Sequence, residues 1–386
     1  MSELTFKIRV ISFLKRFHKP YLWARSLRNK LTKWWINQQR CLLKNSRYGP
    51  PVGFFSALKS EGKAYQSSIR IILDGQSVPA LPVKSLIQIA GMNQMGHQPW
   101  PVFTMLMGDT RLVGSSLAPM SADKLLLNEA LYDHRHRTED PAYNYILLGN
   151  PLFLKGNWTS ITSRWSGGYF HWLMDDLPRL APLNSFPPDT GIIIRGPIPS
   201  YKREALHLLG YESKVRECEN KDLRVEKYHF SSPVGMTGCI NPYAVKWLQK
   251  NFLHHAEGGR GFPKKILVLR HGKTRGILNI MQIKEKLEAM GWVSLDLEGV
   301  PFKRQIALFA NADSIVAEHG AALTNLVWCR PGTKVMELCP ESFLNGCYEG
   351  ISLCVGLDHH FEIFPADDLS RFSVPLSALL DRVRGW

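Results

Sequence analysis

Seven segments between residues 264 and 338 alternate between short apolar runs and amphipathic runs, and this alternation restricts the fold most strongly. They are KKILVLR (264–270), LNIMQIKEKLEAM (278–290), WVSLDLE (292–298), PFKRQIALFAN (301–311), DSIVAE (313–318), GAALTNLVW (320–328) and KVMEL (334–338). Continuous apolar strands that are joined through helices need a parallel sheet with both faces covered. The pattern therefore predicts a doubly wound α/β fold for this part of the chain.

Shorter apolar runs in the first half predict a further α/β unit. Three of them are bounded by Gly, Pro or Asn and are interpreted as strands: SIRIILDG (68–75), SLIQIAGM (85–92) and YNYILLGN (143–150). Further along, GIIIRG (191–196) predicts a buried strand, and YKREALHLLG (201–210) predicts a helix that Gly210 closes.

The positive charge of the chain is concentrated near its start. Of 48 Lys and Arg residues and 33 Asp and Glu residues, 12 basic ones and one acidic one lie in residues 1–50. An excess of this kind usually serves an anionic partner. At ~150 residues per domain, we expect a basic leader (1–48), an N-terminal α/β domain (49–240) and a C-terminal α/β domain (241–386).

Residues 21–36 carry the pattern of a basic amphipathic helix. Apolar side chains recur at three- and four-residue spacing with basic ones largely between them: Trp23, Leu27, Leu31, Trp34 and Trp35 against Arg25, Arg28, Lys30 and Lys33. Such a helix suits the headgroups of an anionic membrane, although a helix that packs Trp23 and Leu27 on the body fits the same pattern. We expect residues 1–40 to bind an anionic membrane surface and, without a nucleic-acid-binding motif, no nucleic acid as a partner.

Cysteines and apolar segments bear on the compartment. The seven cysteines are odd in number and include no Cys-x-x-Cys pair, so neither a disulfide framework nor a zinc ribbon is predicted. No apolar run reaches the ~18 residues of a membrane span, and Lys7 and Arg9 interrupt the apolar start, which argues against a signal peptide. We expect a cytoplasmic protein, peripheral on the inner face of the cell membrane.

The segment 317–325, AEHGAALTN, joins the end of a predicted strand to a helix through small residues. Ligands of open α/β sheets bind at the carboxyl ends of strands, where small residues let the backbone approach a phosphate. The amides of Gly320, Ala321 and Ala322 therefore predict an anion site at a helix N-terminus. A close strand–helix turn explains the same residues without a ligand.

Cationic residues follow another strand at the same edge of the sheet. Arg270 ends the strand, and the loop His271-Gly272-Lys273-Thr274-Arg275 comes next. Arginine can hold a diphosphate with two parallel hydrogen bonds, although a solvated basic loop is equally consistent with the pattern. Glu337 ends the last strand, where a carboxylate can accept hydrogen bonds from ribose hydroxyls, or can simply lie on the surface.

The segment 169–180, YFHWLMDDLPRL, carries the third group of candidate residues. If it is helical, His171 and Asp175 are four residues apart and share one face. A histidine beside a carboxylate can act as a general base near neutral pH. The same pair can also serve a metal, for which two ligands are too few, or form a hydrogen-bonded histidine of the core.

Several motifs are missing from the sequence. It contains no G-x-x-x-x-G-K-[ST], no G-x-G-x-x-G after a strand, no G-x-S-x-G and no H-E-x-x-H. It also lacks Asp-x-Asp, the carboxylate pair that commonly holds the metal in sugar-nucleotide enzymes. We therefore expect backbone amides and arginine to bind an anionic ligand, with no metal and no cofactor.

Three stretches together resemble glycosyltransferase family 61, and particularly its bacterial polysaccharide biosynthesis members: FHWLMDDLPRL (170–180), LVLRHGKTRGILN (267–279) and EHGAALTNLVWCRPGTKVMEL (318–338). They follow the order of the family and cover about residues 165–340. Ala321-Ala322 stands where the family usually has Gly-Leu or Ala-Gly.

The resemblance implies a GT-B-like fold, with two facing Rossmann-type doubly wound domains and the active site between them. It implies inverting, metal-independent transfer of a hexose or pentose from a nucleotide sugar, typically a UDP-sugar. The base would be His171 or Asp175, and the donor would be bound by Arg270, Arg275, His319, Gly320, Ala321, Ala322, Asn325 and Glu337. Asn325 would brace the helix more than touch the substrate.

A lipid-linked saccharide of capsular polysaccharide or lipopolysaccharide synthesis is the expected acceptor, because cytosolic cysteine usage without a signal favours a bacterial surface pathway. The competing hypothesis is a non-catalytic membrane-associated scaffold that binds a nucleotide sugar. An epimerase or oxidoreductase would need a nicotinamide site, against which the missing glycine motif counts.

Overall fold

Two β-sheets and the helices around them make up the described part of the chain. The computed structural model describes residues 30–40, 51, 53–73, 85–90, 101–131, 140, 142–145, 150–219, 222–235, 237–256, 261–270 and 274–386. The predicted loop residues His271 to Lys273, most of the basic leader and half of the predicted strand 143–150 lie outside these residues.

The first sheet contains ten strands among the described residues. They are β1 (Gly53–Phe55), β2 (Arg70–Leu73), β3 (Val102–Met107), β4 (Thr110–Val113), β5 (Ala118–Met120), β6 (Leu125–Leu127), β7 (Leu152–Ser160), β8 (Gly191–Arg195), β9 (Val215–Cys218) and β10 (Asp222–Ser231). Their order is β1-β6-β5-β4-β10-β7-β8-β9, with β3 also paired to β10 and β2 to β3.

This first sheet is mixed rather than doubly wound throughout. Strands β10, β7, β8 and β9 run parallel, whereas β3 and β4 pair with β10 in the antiparallel direction. The predicted strand GIIIRG is β8, and the helix after it spans Ser200–Leu208, with Gly210 at φ 72°. The strand prediction for SLIQIAGM was wrong, because Leu86–Ile89 is a helix whose first amides are capped by Ser85 Oγ and by Glu349.

The second sheet is parallel throughout, as the alternating pattern predicts. Its strands are β11 (Lys265–Leu269), β12 (Val293–Asp296), β13 (Ser314–Glu318), β14 (Lys334–Pro340) and β15 (Asp358–Phe364), in the order β12-β11-β13-β14-β15. After β11 the chain adds β12 on one side of it, and then crosses back to add β13, β14 and β15 on the other side. The crevice between the carboxyl ends of β11 and β13 is therefore the topological switch point, where such sheets bind ligands.

Helices cover both faces of this second sheet. Leu267, Val316 and Met336 pack against one set of helices, whereas their strand neighbours Ile266 and Ile315 pack against another. The helices of this part of the chain are Ile280–Ala289, Phe302–Asn311, Ala321–Trp328 (3₁₀), Cys347–Val355 and Leu376–Val383. All seven predicted elements of 264–338 are confirmed, and β11, β13 and β14 are the strands that are mainly buried.

The remaining helices lie in the first half or between the sheets. They are Ser60–Ser68 (3₁₀), Leu86–Ile89, Asn128–Ala130 (3₁₀), Tyr169–His171, Trp172–Asp176 (π), Leu177–Leu180 (3₁₀), Leu183–Ser185 (3₁₀), Ser200–Leu208, Glu212–Lys214 (3₁₀), Pro242–Phe252 and Leu253–His255 (3₁₀). One hydrophobic core joins the sheets, and it includes Ile194 of β8, Phe252 and Ile315 of β13. Both sheets thus share packed helices rather than standing as separate bodies.

Residues 30–40 are helical and form the described end of the predicted leader helix. Ile36 is buried, whereas Leu31, Trp34 and Trp35 are exposed. Arg40 donates hydrogen bonds to the carbonyls of Pro51 (2.9 Å) and Tyr143 (2.5 Å), which ties this helix to the body. None of the described helices is long and apolar enough to cross a membrane.

Candidate active site

The switch point of the second sheet brings Arg270 against the turn that follows β13. Arg270 comes directly after β11, and its Nη1 lies 3.5 Å from the carbonyl oxygen of His319. A Cβ on Gly320 would stand 2.7 Å from the same Nη1, so glycine allows the guanidinium to approach the backbone. This places a cation next to the predicted anion-binding turn.

The helix after this turn is a 3₁₀ helix that begins at Ala321, with Gly320 as its N-cap. Ala321 is exposed and Ala322 is half-buried, so the start of the helix reaches the surface. The first amides of a helix have no carbonyl to bond within it and carry the positive end of its dipole. Gly320, Ala321 and Ala322 therefore offer donors to an anion beside Arg270.

Arg275 adds a second cation to the same site. Its backbone has φ 63°, its amide donates to the Leu369 carbonyl at 3.0 Å, and its guanidinium lies 4.3 Å from the ring centroid of Phe343. Burial, and then the neighbouring charge of Arg270, lower the pKa of Arg275. Two guanidinium groups held close enough to repel each other suit a doubly charged anion such as a diphosphate.

Glu337 lies behind this site, buried between two histidines. Its Oε1 bonds Nδ1 of His319 and its Oε2 bonds Nε2 of His359 at 3.0 Å. Burial acts to raise the pKa of Glu337, but hydrogen bonds from His319 and His359 outweigh it and lower the pKa to about 2. Glu337 is therefore a carboxylate that holds two imidazoles, with no exposed surface for a ribose.

Cys339 joins His319 and Glu337 in the described cluster that could hold a metal, with ligand atoms within 4.8 Å of one another. His319 already uses its Nδ1 for Glu337. Burial, and then the charge of Glu337, raise the pKa of the Cys339 thiol, which keeps it protonated. A hydrogen-bonded cluster accounts for all three side chains.

His171 and Asp175 form the pair that the spacing predicts. His171 Nδ1 lies 2.8 Å from Asp175 Oδ2, and Thr237 Oγ1 is 3.0 Å from the same nitrogen and donates to the same carboxylate at 2.8 Å. These contacts assign the proton to Nδ1, because it faces a carboxylate and a hydroxyl oxygen. Nε2 has no hydrogen-bond partner in the described part of the chain, and the side chain is 29% exposed.

The helix that carries the pair, residues 169–180, is irregular. It begins as an α-helix, widens to a π-helix over Trp172–Asp176 and ends as a 3₁₀ helix. Such π segments frequently occur at functional sites. The indole of Trp165 stacks on His171 at 5.9 Å between ring centroids, and Gly168 allows this loop to approach, since a Cβ there would lie 3.1 Å from the imidazole.

Asp176 sits next to the pair and is fully buried. Burial raises its pKa to about 6, and hydrogen bonds from Ser163 and Ser166 lower it in part. Lys202 donates to the Ser166 carbonyl beneath the same loop, and burial lowers the pKa of this lysine. These contacts fix the loop that presents Trp165.

Aromatic rings connect the two groups of site residues. Phe170 packs against His171 at 5.2 Å and against Tyr348 at 5.9 Å, and Tyr348 in turn packs against His319 at 5.1 Å. Burial raises the pKa of Tyr348 well above its usual range, against the charges of Arg275 and Arg270. Packed aromatic rings therefore connect the His171–Asp175 pair to the turn that carries His319.

Asn325 also links the two halves, but from within the core. It is fully buried, accepts hydrogen bonds from Tyr169 Oη (2.8 Å) and Trp328 Nε1 (3.0 Å), and donates to Gln305 Oε1 (3.0 Å). Its amide is thus used by the protein, which fits the bracing role rather than contact with a substrate.

Four residues of this region were not predicted from the sequence. Trp165, Thr237, Tyr348 and His359 lie in segments without a recognisable motif. Only Trp165 could have been found from the sequence. It is an aromatic residue in a Ser- and Gly-rich turn, residues 163–168, that directly precedes the helix of His171. The others come to the site through tertiary packing alone.

A histidine–carboxylate pair and a cationic switch point in one α/β chain are features that suit group transfer on phosphorylated substrates. Residues 169–336 match the family model Glycosyltransferase 61. This region belongs to glycosyltransferase family 61, as the three motifs predict, and the match supports a glycosyltransferase. None of the curated proteins compared with it matches. The matched region includes every predicted site residue except Glu337.

Proposed function

We propose that this glycosyltransferase moves a sugar from a nucleotide-sugar donor to a saccharide acceptor without a metal and with inversion at the anomeric carbon. The observation that carries the proposal is the contact series His171–Phe170–Tyr348–His319, which joins a base to a site for a diphosphate. In a single in-line displacement, the base acts on the attacking hydroxyl and the cationic site binds the leaving group, and a single displacement inverts the configuration.

In this mechanism His171 Nε2 takes the proton of the acceptor hydroxyl, while Asp175 and Thr237 hold the other ring nitrogen. Asp175 stabilises the imidazolium that forms, so His171 rather than Asp175 is our choice for the base. The hydroxyl oxygen bonds to the anomeric carbon as the bond to the diphosphate breaks.

Negative charge grows on the leaving diphosphate during this step. Arg270, Arg275 and the amides of Gly320, Ala321 and Ala322 supply fixed positive potential where that charge develops. This arrangement can replace a divalent cation, in keeping with the absence of Asp-x-Asp from the sequence. A UDP-sugar is the proposed donor, with His319 against its phosphates and Glu337 and Asn325 supporting the site from behind.

The acceptor we propose is a lipid-linked saccharide at the inner face of the cell membrane, in capsular polysaccharide or lipopolysaccharide synthesis. The support is the helix 30–40, which exposes Leu31, Trp34 and Trp35 beside Lys30 and Lys33 while Ile36 and Arg40 contact the body. Apolar and basic side chains on one exposed helix suit an anionic bilayer surface.

The same proposal includes a GT-B-like arrangement of two α/β domains. Their borders lie near residues 48 and 240. The helix Pro242–Phe252 starts beside the second border, and the parallel half of the first sheet lies in 150–231. Both features suit two α/β units that face each other across the site, although β3, β4 and β5 extend the first unit with antiparallel strands.

The test is release of nucleoside diphosphate from a panel of UDP-, GDP-, dTDP- and CMP-activated sugars (monophosphate for CMP), each with lipid-extract acceptors. We expect turnover with one donor, and a fall in kcat of ~10²-fold or more in His171→Ala and Asp175→Asn, the scale of general-base catalysis. Full activity in both variants would contradict the assignment of the base.

A matched control exists on the surface of the first half. His207 and Glu212 also form an imidazole–carboxylate pair, at 2.8 Å, but both are exposed. His207→Ala should leave turnover unchanged. If the wild-type protein binds a nucleotide sugar and releases nothing above background, the scaffold hypothesis replaces transfer.

A further inference from the structure

An exposed aromatic ring lies beside the candidate donor site. Phe343 follows the end of β14 at Pro340, in a turn in which the Phe343 amide donates to the carbonyl of Pro340 at 3.1 Å. This turn comes after the carboxyl end of a parallel strand, which is the edge where such sheets bind ligands. Phe343 is 42% exposed. It also lies beyond the matched family region, which ends at residue 336.

Two contacts join this ring to the site. The guanidinium of Arg275 lies 4.3 Å from the ring centroid of Phe343. The ring of His319 lies 5.6 Å from that of Phe343, at an interplanar angle of 58°. Phe343 is therefore the exposed end of the aromatic series that runs from Phe170 through Tyr348 to His319.

The contact with Arg275 suits the binding of an anion. A guanidinium group can lie on an aromatic ring and still bind an anion through the N–H groups at its edge. Arg275 can therefore meet a diphosphate while Phe343 holds its side chain in place. In a nucleotide sugar the diphosphate carries the sugar at one end and a nucleoside at the other, so an exposed ring beside the diphosphate site can meet the nucleoside.

A second exposed apolar side chain belongs to the surroundings of Arg275. Leu369 is 41% exposed, and its carbonyl accepts the hydrogen bond of the Arg275 amide at 3.0 Å. Single apolar residues are common on protein surfaces, but Phe343 and Leu369 both contact the same cation. Ligand sites typically combine apolar walls with a few charged groups in this way.

We propose that Phe343 is the platform on which the base of the nucleotide stacks when the diphosphate is bound at Arg270 and Arg275. The proposal rests on the proposed function for the nucleotide donor, and it assigns the part of the site that takes the nucleoside. Stacking on an aromatic side chain tolerates every base, because each base has a π-face. The platform therefore strengthens the binding of nucleotides in general and does not by itself select uracil.

The experiment measures by calorimetry the binding of UDP, GDP, CDP, dTDP and inorganic pyrophosphate to the full chain. Pyrophosphate carries the two phosphates without a nucleoside. The ratio between the affinity for the nucleoside diphosphate that binds most tightly and the affinity for pyrophosphate therefore measures what the nucleoside contributes.

Two variants separate the aromatic face of the ring from its bulk. Phe343→Leu keeps an apolar side chain against Arg275 but has no π-face, and it should lower the ratio by about tenfold or more, the scale of base–aromatic stacking. Phe343→Tyr keeps a flat ring and should retain the wild-type ratio. Because Phe343 is exposed, both variants should fold with the thermal midpoint of the wild type.

The first sheet provides a matched control. Phe153 on β7 is 52% exposed, and the guanidinium of Arg224 lies 5.7 Å from its ring centroid. Phe153→Leu makes the same change at another exposed ring beside an arginine, and it should leave the ratio unchanged.

Two results would overturn the proposal. If Phe343→Leu loses the same factor of affinity for the nucleotide and for pyrophosphate, the ring serves only to hold Arg275. If the wild-type protein binds no nucleoside diphosphate more tightly than pyrophosphate, the nucleoside has no platform on this protein.

These binding measurements do not depend on turnover, which separates this inference from the proposed function. A lower ratio in Phe343→Leu, in a protein that transfers no sugar, supports the platform and contradicts the transferase mechanism. Sugar transfer from a nucleotide sugar, with the same ratio in wild type and Phe343→Leu, contradicts the platform alone.

Discussion

At the scale of single residues, the site combines groups whose protonation is fixed by their contacts. Asp175 and Thr237 hold one nitrogen of His171, and Glu337 holds one nitrogen of His319. His171 is 29% exposed, and we propose that its other nitrogen meets the acceptor hydroxyl. The i, i+4 spacing was enough to predict the first pair, whereas nothing in the sequence joins His319 to His359, because the two meet only through adjacent strands of the sheet.

Asp176 makes stability depend on pH. Burial raises its pKa from the usual 3.8 to about 6, so the folded state favours the neutral acid. Its stabilising contribution is complete below pH 3.8 and is lost as the pH rises through about 6. Because asparagine cannot ionise, the Asp176→Asn variant should not lose this stability as the pH rises. From pH 4.5 to 7.5 the free energy of unfolding of the variant should therefore rise relative to wild type, by about 2 kcal/mol.

Urea unfolding of both proteins at several pH values measures this difference. Asp189→Asn is a suitable control, because that carboxyl group is exposed and its pKa is lowered by a hydrogen bond from Asn157. A constant difference between wild type and Asp176→Asn across the range would show that Asp176 is ionised in the folded protein.

At the scale of elements, the strands that are most buried are those whose sequence pattern is clearest. Strands β11, β13 and β14 were predicted correctly because they are buried on both faces and are mainly apolar, whereas β12 at the sheet edge is partly exposed and was predicted from its place in the alternating pattern. SLIQIAGM was mistaken for a strand because four apolar and polar residues are too few to reveal a period. What makes it a helix is the Glu349 carboxylate, which accepts from the Ile87 amide at 2.8 Å and lies more than 250 residues away.

The short helix Leu86–Ile89 packs closely against the start of the helix Cys347–Val355, and this contact can be tested. A Cβ on Gly346 would lie 2.4 Å from the Cα of Ile87, and backbone cannot move aside as a flexible side chain can. Gly346→Ala should therefore separate the two helices and destabilise the fold by about 1–3 kcal/mol, the usual range for overpacking.

The thermal midpoint of unfolding measures this effect. Gly108→Ala is the matched control, because a Cβ there meets no atom within 4 Å, and it should change stability by less than ~0.5 kcal/mol. Equal midpoints for Gly346→Ala and Gly108→Ala would mean that the helix 86–89 is not held against its neighbour in solution.

At the scale of the whole molecule, the net charge of +15 is distributed unevenly between the start of the chain and the rest of it. Most of it lies in the first fifty residues, where it can meet an anionic surface. The proposed donor site depends on Arg270, Arg275 and helix amides, which the total charge does not reveal. A membrane-bound position and a site between two sheets would together present the site to acceptors that are carried by lipid.

The exposed face of helix 30–40 can be tested without removing the leader. Ile36 and Arg40 contact the body, so deletion would uncover buried surface, whereas Leu31, Trp34 and Trp35 are exposed and can be changed alone. Changing all three to serine should lower partition onto vesicles with a quarter anionic lipid by about tenfold or more, since each apolar side chain that enters the interface contributes favourably.

Sedimentation with vesicles measures the partition, and 0.5 M salt should weaken the wild-type binding because the basic residues contribute about 1 kcal/mol each near the surface. Phe153→Ser is the control, since this aromatic side chain on β7 is 52% exposed but belongs to the body. If the triple variant pellets as the wild type does, another part of the chain holds the protein at the membrane. If wild type and variant both stay in solution, the acceptor must reach the enzyme without a lipid surface, and a soluble saccharide becomes the substrate to test.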